Sequence, residues 1–173
     1  HVNGSIVECG VLYGAGTLAW AKLSSILEPA NHTRKIIGFD TFDGFPEIRP
    51  EDNGTFHDLK EGGLKGATRQ QVQAAVDVYD LNRPIGHIPK VELVEGDLVF
   101  TAPVYIAENP HLVVAMLYLD CDLYAPTKAA LEAFIPRMPK GAIVVFDELN
   151  AALFPGETQA VHEVLGLGNL KIE

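Results

Sequence analysis

Apolar residues occur in short unbroken runs separated by stretches of helical spacing. Residues 5–10 (SIVECG), 35–40 (KIIGFD), 91–96 (VELVEG), 113–120 (VVAMLYLD) and 141–148 (GAIVVFDE) read as strands. Residues 17–27 place apolar side chains at 18, 20, 23, 26 and 27, the spacing of one helix face. Thr68 followed by Gln71 predicts a capping box that opens a helix through Tyr79. Pro126 suits the first turn of another helix, whose apolar face is Ala130, Leu131, Phe134 and Ile135. A short helix is expected over 157–165, and 170–173 reads as the start of a sixth strand. Residues 41–66 are rich in proline, glycine and charge and predict a long loop, whose stretch from Glu47 to Gly66 is a candidate lid with hinge glycines in EGGLKG. Continuously apolar strands are buried on both faces. The expected architecture is therefore α/β, a doubly wound, mostly parallel sheet in one domain spanning residues 1–173. Its switch point should lie between the first and fourth strands, bringing Cys9 near Cys121 without a disulfide.

Composition narrows the partners. The chain has 173 residues, 47% of them hydrophobic, enough for one real core. A net charge of −10 with scattered basic residues argues against a nucleic-acid partner. No apolar run approaches the roughly 18 residues that span a bilayer, so no membrane partner is expected. Cys9 and Cys121 follow apolar runs and read as reduced core thiols, which points to a cytoplasmic protein. The chain opens on His1 rather than Met, so an upstream start and a removed signal both stay open.

Ligands of open parallel sheets sit beyond the carboxyl ends of the strands. Here those ends carry Glu8, Asp40, Asp97, Asp120, Asp122, Asp147 and Glu148. Carboxylates beside an apolar interior are costly unless paired or ligated, and the competing explanation, helix capping, accounts for single residues better than for the whole set. The glycines at 10, 14 and 16 depart from the spacing of pyrophosphate binders. Glu8 would repel a pyrophosphate and attract a cation. Asp40 ends the second strand, where such folds use an acid on both ribose hydroxyls, and Asp97 is placed to accept from an adenine amino group. An amino group, a sulfonium, a ribose and an adenine in one molecule describe S-adenosylmethionine. The acids at 120, 122, 147 and 148 offer four carboxylates on two strand ends, a donor set for Mg²⁺. Such an ion lowers the pKa of a bound hydroxyl, and a carboxylate left over serves as general base.

The stretches GFDTFDGFP (38–46), LYLDCDLYAPTKAALEAFIPRMPKGAIVVFDE (117–148) and FPGETQAV (154–161) resemble the macrocin O-methyltransferase family. The resemblance implies a Rossmann-like class I methyltransferase fold, S-adenosylmethionine and Mg²⁺ as cofactors, and a small-molecule hydroxyl acceptor, a sugar in natural-product biosynthesis. It assigns Asp120, Asp147 and Glu148 to the metal and Asp122 to the base; Glu148 stands where the family often has Asp. Glu8, Gly10, Asp40 and Asp97 match the family's cofactor positions, and the candidate cofactor-binding set adds Cys9, Tyr13, Gly14, Thr17, Thr41, Phe42, Gly96, Leu98 and Asp120. Family members also carry N-terminal helices and a final β-hairpin that help form a lid and a homodimer, and this chain is expected to stop before that hairpin.

His57, in the long loop, is a second catalytic candidate, and His162 a weaker one; each competes with an ordinary surface histidine. Phe39 or Phe42 is expected against the adenosine or in the core, and Trp20 and Phe134 in the core. Two rival functions remain open at this point: a metal-dependent glycosyltransferase using Asp120 and Asp122 as its D-x-D, and an S-adenosylmethionine-binding scaffold without turnover.

Overall fold

The computed structural model describes residues 2–57 and 59–169; the sixth strand expected at 170–173 lies outside them. Among the described residues the strands are β1 (Ser5–Cys9), β2 (Ile36–Asp40), β3 (Val91–Glu95), β4 (Val114–Leu119) and β5 (Ile143–Phe146). They form one sheet in the order β3-β2-β1-β4-β5, with every neighbouring pair parallel. The chain leaves β1 in one direction through β2 and β3, then returns to the other side of β1 for β4. The switch point therefore falls between β1 and β4, as expected. Cys9 lies opposite Leu119 across it, and both cysteines are free thiols.

The helices are α1 (Ala15–Leu27), α2 (Arg69–Leu81), α3 (Leu98–Glu108), α4 (Tyr124–Phe134) and α5 (Pro155–Val164). Strand alternation sorts them into two layers. Val7, Cys9, Ile37, Phe39, Leu117 and Leu119 point to one face and pack with residues of α3, α4 and α5. Ile36, Val91 and Leu93 point to the other face and pack with Ala21 of α1 and with Val72 and Val76 of α2. No helix among the described residues is long and apolar enough to cross a membrane.

The predicted elements match to within a residue or two at their ends, with one omission. Helix α3 occupies a stretch that had been assigned to no element. Its sequence, LVFTAPVYIAE, is apolar nearly throughout and contains Pro103, which hides the helical period. Its buried residues Leu98, Ala102 and Tyr105 nonetheless fall at i, i+4 and i+7, and Asp97 caps it by accepting from Val99 N–H at 2.9 Å.

The 41–66 segment is docked against the body. Phe45 packs with Leu123 and Phe154, and Ile48, Phe56 and Leu59 close around them. A 3₁₀ turn, Pro50–Asp52, inserts Asp52, which is 2% exposed. Its Oδ2 accepts from Arg49 N–H at 2.9 Å, and its Oδ1 accepts from Tyr124 N–H at 2.6 Å. Asp52 thus supplies the cap that α4 lacks locally, because its N-cap residue is Leu123.

Candidate active site

Backbone pairing continues one step past the strands and lines up their ends. Gly10 N–H donates to Phe39 O at 2.9 Å, Asp120 N–H to Cys9 O at 2.8 Å, and Asp147 N–H to Leu119 O at 3.0 Å. Gly10 has φ +96°, and a side chain there would overlap the Asp120 carbonyl, so glycine is what lets the β1 and β4 ends close together. One cleft opens above this row. Gly10, Asp40, Thr41, Gly96, Asp97, Leu98, Asp120, Asp122, Asp147 and Glu148 line it, and Phe45, Phe56 and Phe154 form an aromatic side.

Asp40 organises the glycine loop. Val11 and Leu12 N–H donate to its Oδ2 at 2.7 and 2.9 Å, and Phe42 N–H to its Oδ1 at 2.7 Å. Leu12 and Phe42 have φ of 52° and 54°, an uncommon conformation for such side chains, which these bonds hold in place. A carboxylate has about four acceptor positions. Three are in use, which leaves room for one further donor.

Glu8 is 1% exposed and lies under the first turn of α1, where Thr17 Oγ1 donates to its Oε2. Gly16 allows that approach, since a methyl there would overlap Glu8 Oε1. Burial pushes the Glu8 carboxyl up to about 8, against a lowering by Thr17, with Asp120 and Asp40 raising it further. The folded state thus holds this proton more tightly than the unfolded chain. The resulting stabilisation is complete below the unfolded value of 4.5 and is lost as pH climbs toward 8. Glu8→Gln removes the dependence. Its melting temperature is expected to fall less than the wild type's between about pH 5 and pH 8; parallel falls in thermal denaturation would show that Glu8 does not behave this way.

The acid cluster is crowded. Burial, then Asp147, raise Asp120 to about 6. Burial, then Asp120, Glu148 and Asp147, raise Asp122 to about 7. Asp122 sits at φ 63° in a γ-turn closed by Leu123 N–H donating to Cys121 O at 2.6 Å. The strand does not run on regularly from Asp120 to Asp122. Nor does Asp122 cap α4, since Asp52 holds Tyr124 N–H. The turn faces Asp122 into the cleft, where no described residue donates a hydrogen bond to its carboxylate.

Several expected site residues lie elsewhere. Cys9 is fully buried beneath the cleft, and Phe42 is in the core beside α2. Gly14 is the left-handed N-cap of α1 and packs on Val72. Tyr13 is 67% exposed, and Thr17 is occupied with Glu8. His57 is an exposed residue with its ring tilted against Phe56, outside the cleft lining. Three residues of the site's support were not read from the sequence. Glu157 is fully buried; its Oε1 accepts from Glu148 N–H at 3.0 Å, and burial pushes its carboxyl up to about 8. Thr158 accepts from Asn150 N–H at 2.8 Å, so the first turn of α5 grips the 148–150 loop at two points. Tyr118 donates toward Asp120 Oδ2 and Asp147 Oδ1. The period-2 position of Tyr118 before Asp120 was the available signal for it.

A parallel sheet in this order, with its cleft and its acids at the switch point, is the class I methyltransferase fold. The fold is shared with the O-methyltransferase NovP, at a TM-score of 0.75 and 23% identity over 99% of this chain and 67% of that one. Residues 1–165 match the macrocin-O-methyltransferase (TylF) family, and the chain belongs to it. The crystal structure of CalS11, a calicheamicin methyltransferase, superposes with a TM-score of 0.95 at 40% identity, covering 99% of this chain and 68% of that one. A curated relative from Streptomyces olivaceus is an 8-demethyl-8-(2,3-dimethoxy-alpha-L-rhamnosyl)-tetracenomycin-C 4'-O-methyltransferase, 27% identical over 151 residues, which are 85% of this chain and 53% of that protein. The chain thus spans about half the length of that curated relative. Family membership sets aside the glycosyltransferase reading of the D-x-D.

Proposed function

We propose that this chain is the catalytic domain of a Mg²⁺-dependent O-methyltransferase that moves the methyl group of S-adenosylmethionine to a hydroxyl of a sugar or glycosylated small molecule. The observation that carries this reading is that one cleft holds two chemically distinct halves. Asp40, Gly96, Asp97 and Leu98 line one, and the carboxylates of Asp120, Asp122, Asp147 and Glu148 line the other. The sugar acceptor is supported by the relatives: the curated one acts on a rhamnosyl tetracenomycin, and CalS11 is described as a TDP-rhamnose 3'-O-methyltransferase.

The donor chemistry fits a hard cation, being four carboxylate side chains along one cleft, of which Asp120, Asp122 and Glu148 are raised by burial and then by neighbouring negative charge. Among the described residues, no three His, Cys, Asp or Glu side chains converge as they stand in a geometry that holds a metal ion. Asp120, Asp147 and Glu148 are the residues that would hold Mg²⁺, which supplies Lewis-acid polarisation of the acceptor hydroxyl. Asp122, which accepts no hydrogen bond from the described residues at the cleft wall, takes the proton of that hydroxyl as general base. S-Adenosylmethionine supplies the electrophilic methyl group. Asp40 binds one ribose hydroxyl while pinning the glycine loop, and Leu98 offers apolar surface to the adenosine.

Asp40→Ala tests the cofactor half. Removing the carboxylate takes away a ribose partner and frees Val11 and Leu12 together. S-Adenosylmethionine affinity is expected to fall about ten- to a hundredfold, the equivalent of about 1.5–3 kcal/mol. Calorimetric titration of a variant shown to be folded decides it, and unchanged affinity would remove Asp40 from the cofactor site.

A further inference from the structure

Tyr118 has no part in the reaction above, yet its hydroxyl sits between two of the acids assigned to the metal. The register explains why. Tyr118 lies opposite Glu8 of β1 and Val145 of β5. Successive side chains alternate across a sheet, and the ladder extends one residue past β4 and β5 to Asp120 and Asp147. Tyr118, Asp120 and Asp147 therefore project to the same side, the one covered by α1. Trp20 of α1 packs edge-on against the Tyr118 ring, with centroids 5.9 Å apart, and fixes where the hydroxyl points. That oxygen lies 3.0 Å from Asp120 Oδ2 and 3.2 Å from Asp147 Oδ1.

We propose that Tyr118 is a positioning residue: its one hydroxyl proton, shared between Asp120 Oδ2 and Asp147 Oδ1, restrains the two carboxylates that would hold a divalent cation. This rests on the Mg²⁺ reading given above. Two neighbouring carboxylates repel, and an O–H donor between them is the neutral group that keeps both in place at a fixed separation. A merely space-filling tyrosine would need only its ring on Trp20.

Tyr118→Phe keeps the ring and removes only the hydroxyl. MgCl₂, and separately MnCl₂, would be titrated calorimetrically into wild type and variant. S-Adenosylmethionine affinity and melting temperature serve as controls. The expected result is metal affinity weakened about 10- to 100-fold, with cofactor affinity and melting temperature unchanged. Metal affinity that is unchanged or tighter in a variant whose wild type binds the ion overturns the positioning role alone. Failure of the wild type to take up either ion overturns the metal reading and this inference with it.

Discussion

Asp122→Asn is expected to lower turnover by about 10²–10⁴-fold while Mg²⁺ affinity, S-adenosylmethionine affinity and melting temperature stay close to wild type. The reasons are local. Asp122 is 7% exposed, stands at φ 63° and lines the cleft, with no donor on its carboxylate among the described residues. Asparagine has the same shape and tolerates the left-handed conformation, so the γ-turn survives the exchange. A stability loss would be expected had Asp122 capped α4, but Asp52 performs that task from the long loop. What the variant loses is the capacity to accept a proton in the transition state. Steady-state kinetics with calorimetry on the same preparation separates these quantities, and full turnover in Asp122→Asn removes the base assignment.

Asp120→Asn is expected to fail differently, losing divalent-ion dependence and activity together. A neutral amide keeps little attraction for a hard cation, and several kcal/mol of charge stabilisation go with the ion, about 10²–10³-fold in rate or more. Asp120 is central in the cluster: Asp147 and Glu148 both raise its pKa, and Tyr118 holds its Oδ2. Activity assayed across a Mg²⁺ series reads the effect. Wild-type rates and an unchanged Mg²⁺ response in Asp120→Asn would remove the metal mechanism.

These two residues also mark how far the sequence could be read. Both were visible as acids after an apolar strand, because strand periodicity and the carboxyl-end rule need only local pattern. Their different surroundings were not visible. The γ-turn at Asp122 depends on a Cys121–Leu123 backbone bond, and the freedom of its carboxylate depends on Asp52, 72 residues away in sequence from Tyr124. The same division holds elsewhere. The sheet and the β1–β4 switch point followed from continuous apolar runs. Helix α3 did not, because its exposed face carries the apolar Phe100 and Val104 where a polar stripe would stand, and Pro103 reads as a break. Asp40 was recognised by its place at a strand end, but its three backbone donors come from loops that only the folded chain brings together. Glu8 drew attention as a strand-end acid, whereas the structure closes it off beneath Thr17 and Gly16. Glu157 gave no signal as part of an FPGE run, since its role is to accept the backbone N–H of a residue on another loop.

Methyl transfer itself is the most direct measurement. The protein would be incubated with methyl-labelled S-adenosylmethionine and a panel of rhamnosylated small molecules and TDP-rhamnose, with and without Mg²⁺, and the products resolved by mass and position of label. The predicted result is label on a sugar hydroxyl oxygen, formed only when Mg²⁺ is present. Tight S-adenosylmethionine binding with no label reaching any acceptor in the presence of Mg²⁺ would contradict catalysis and leave a binding scaffold in its place.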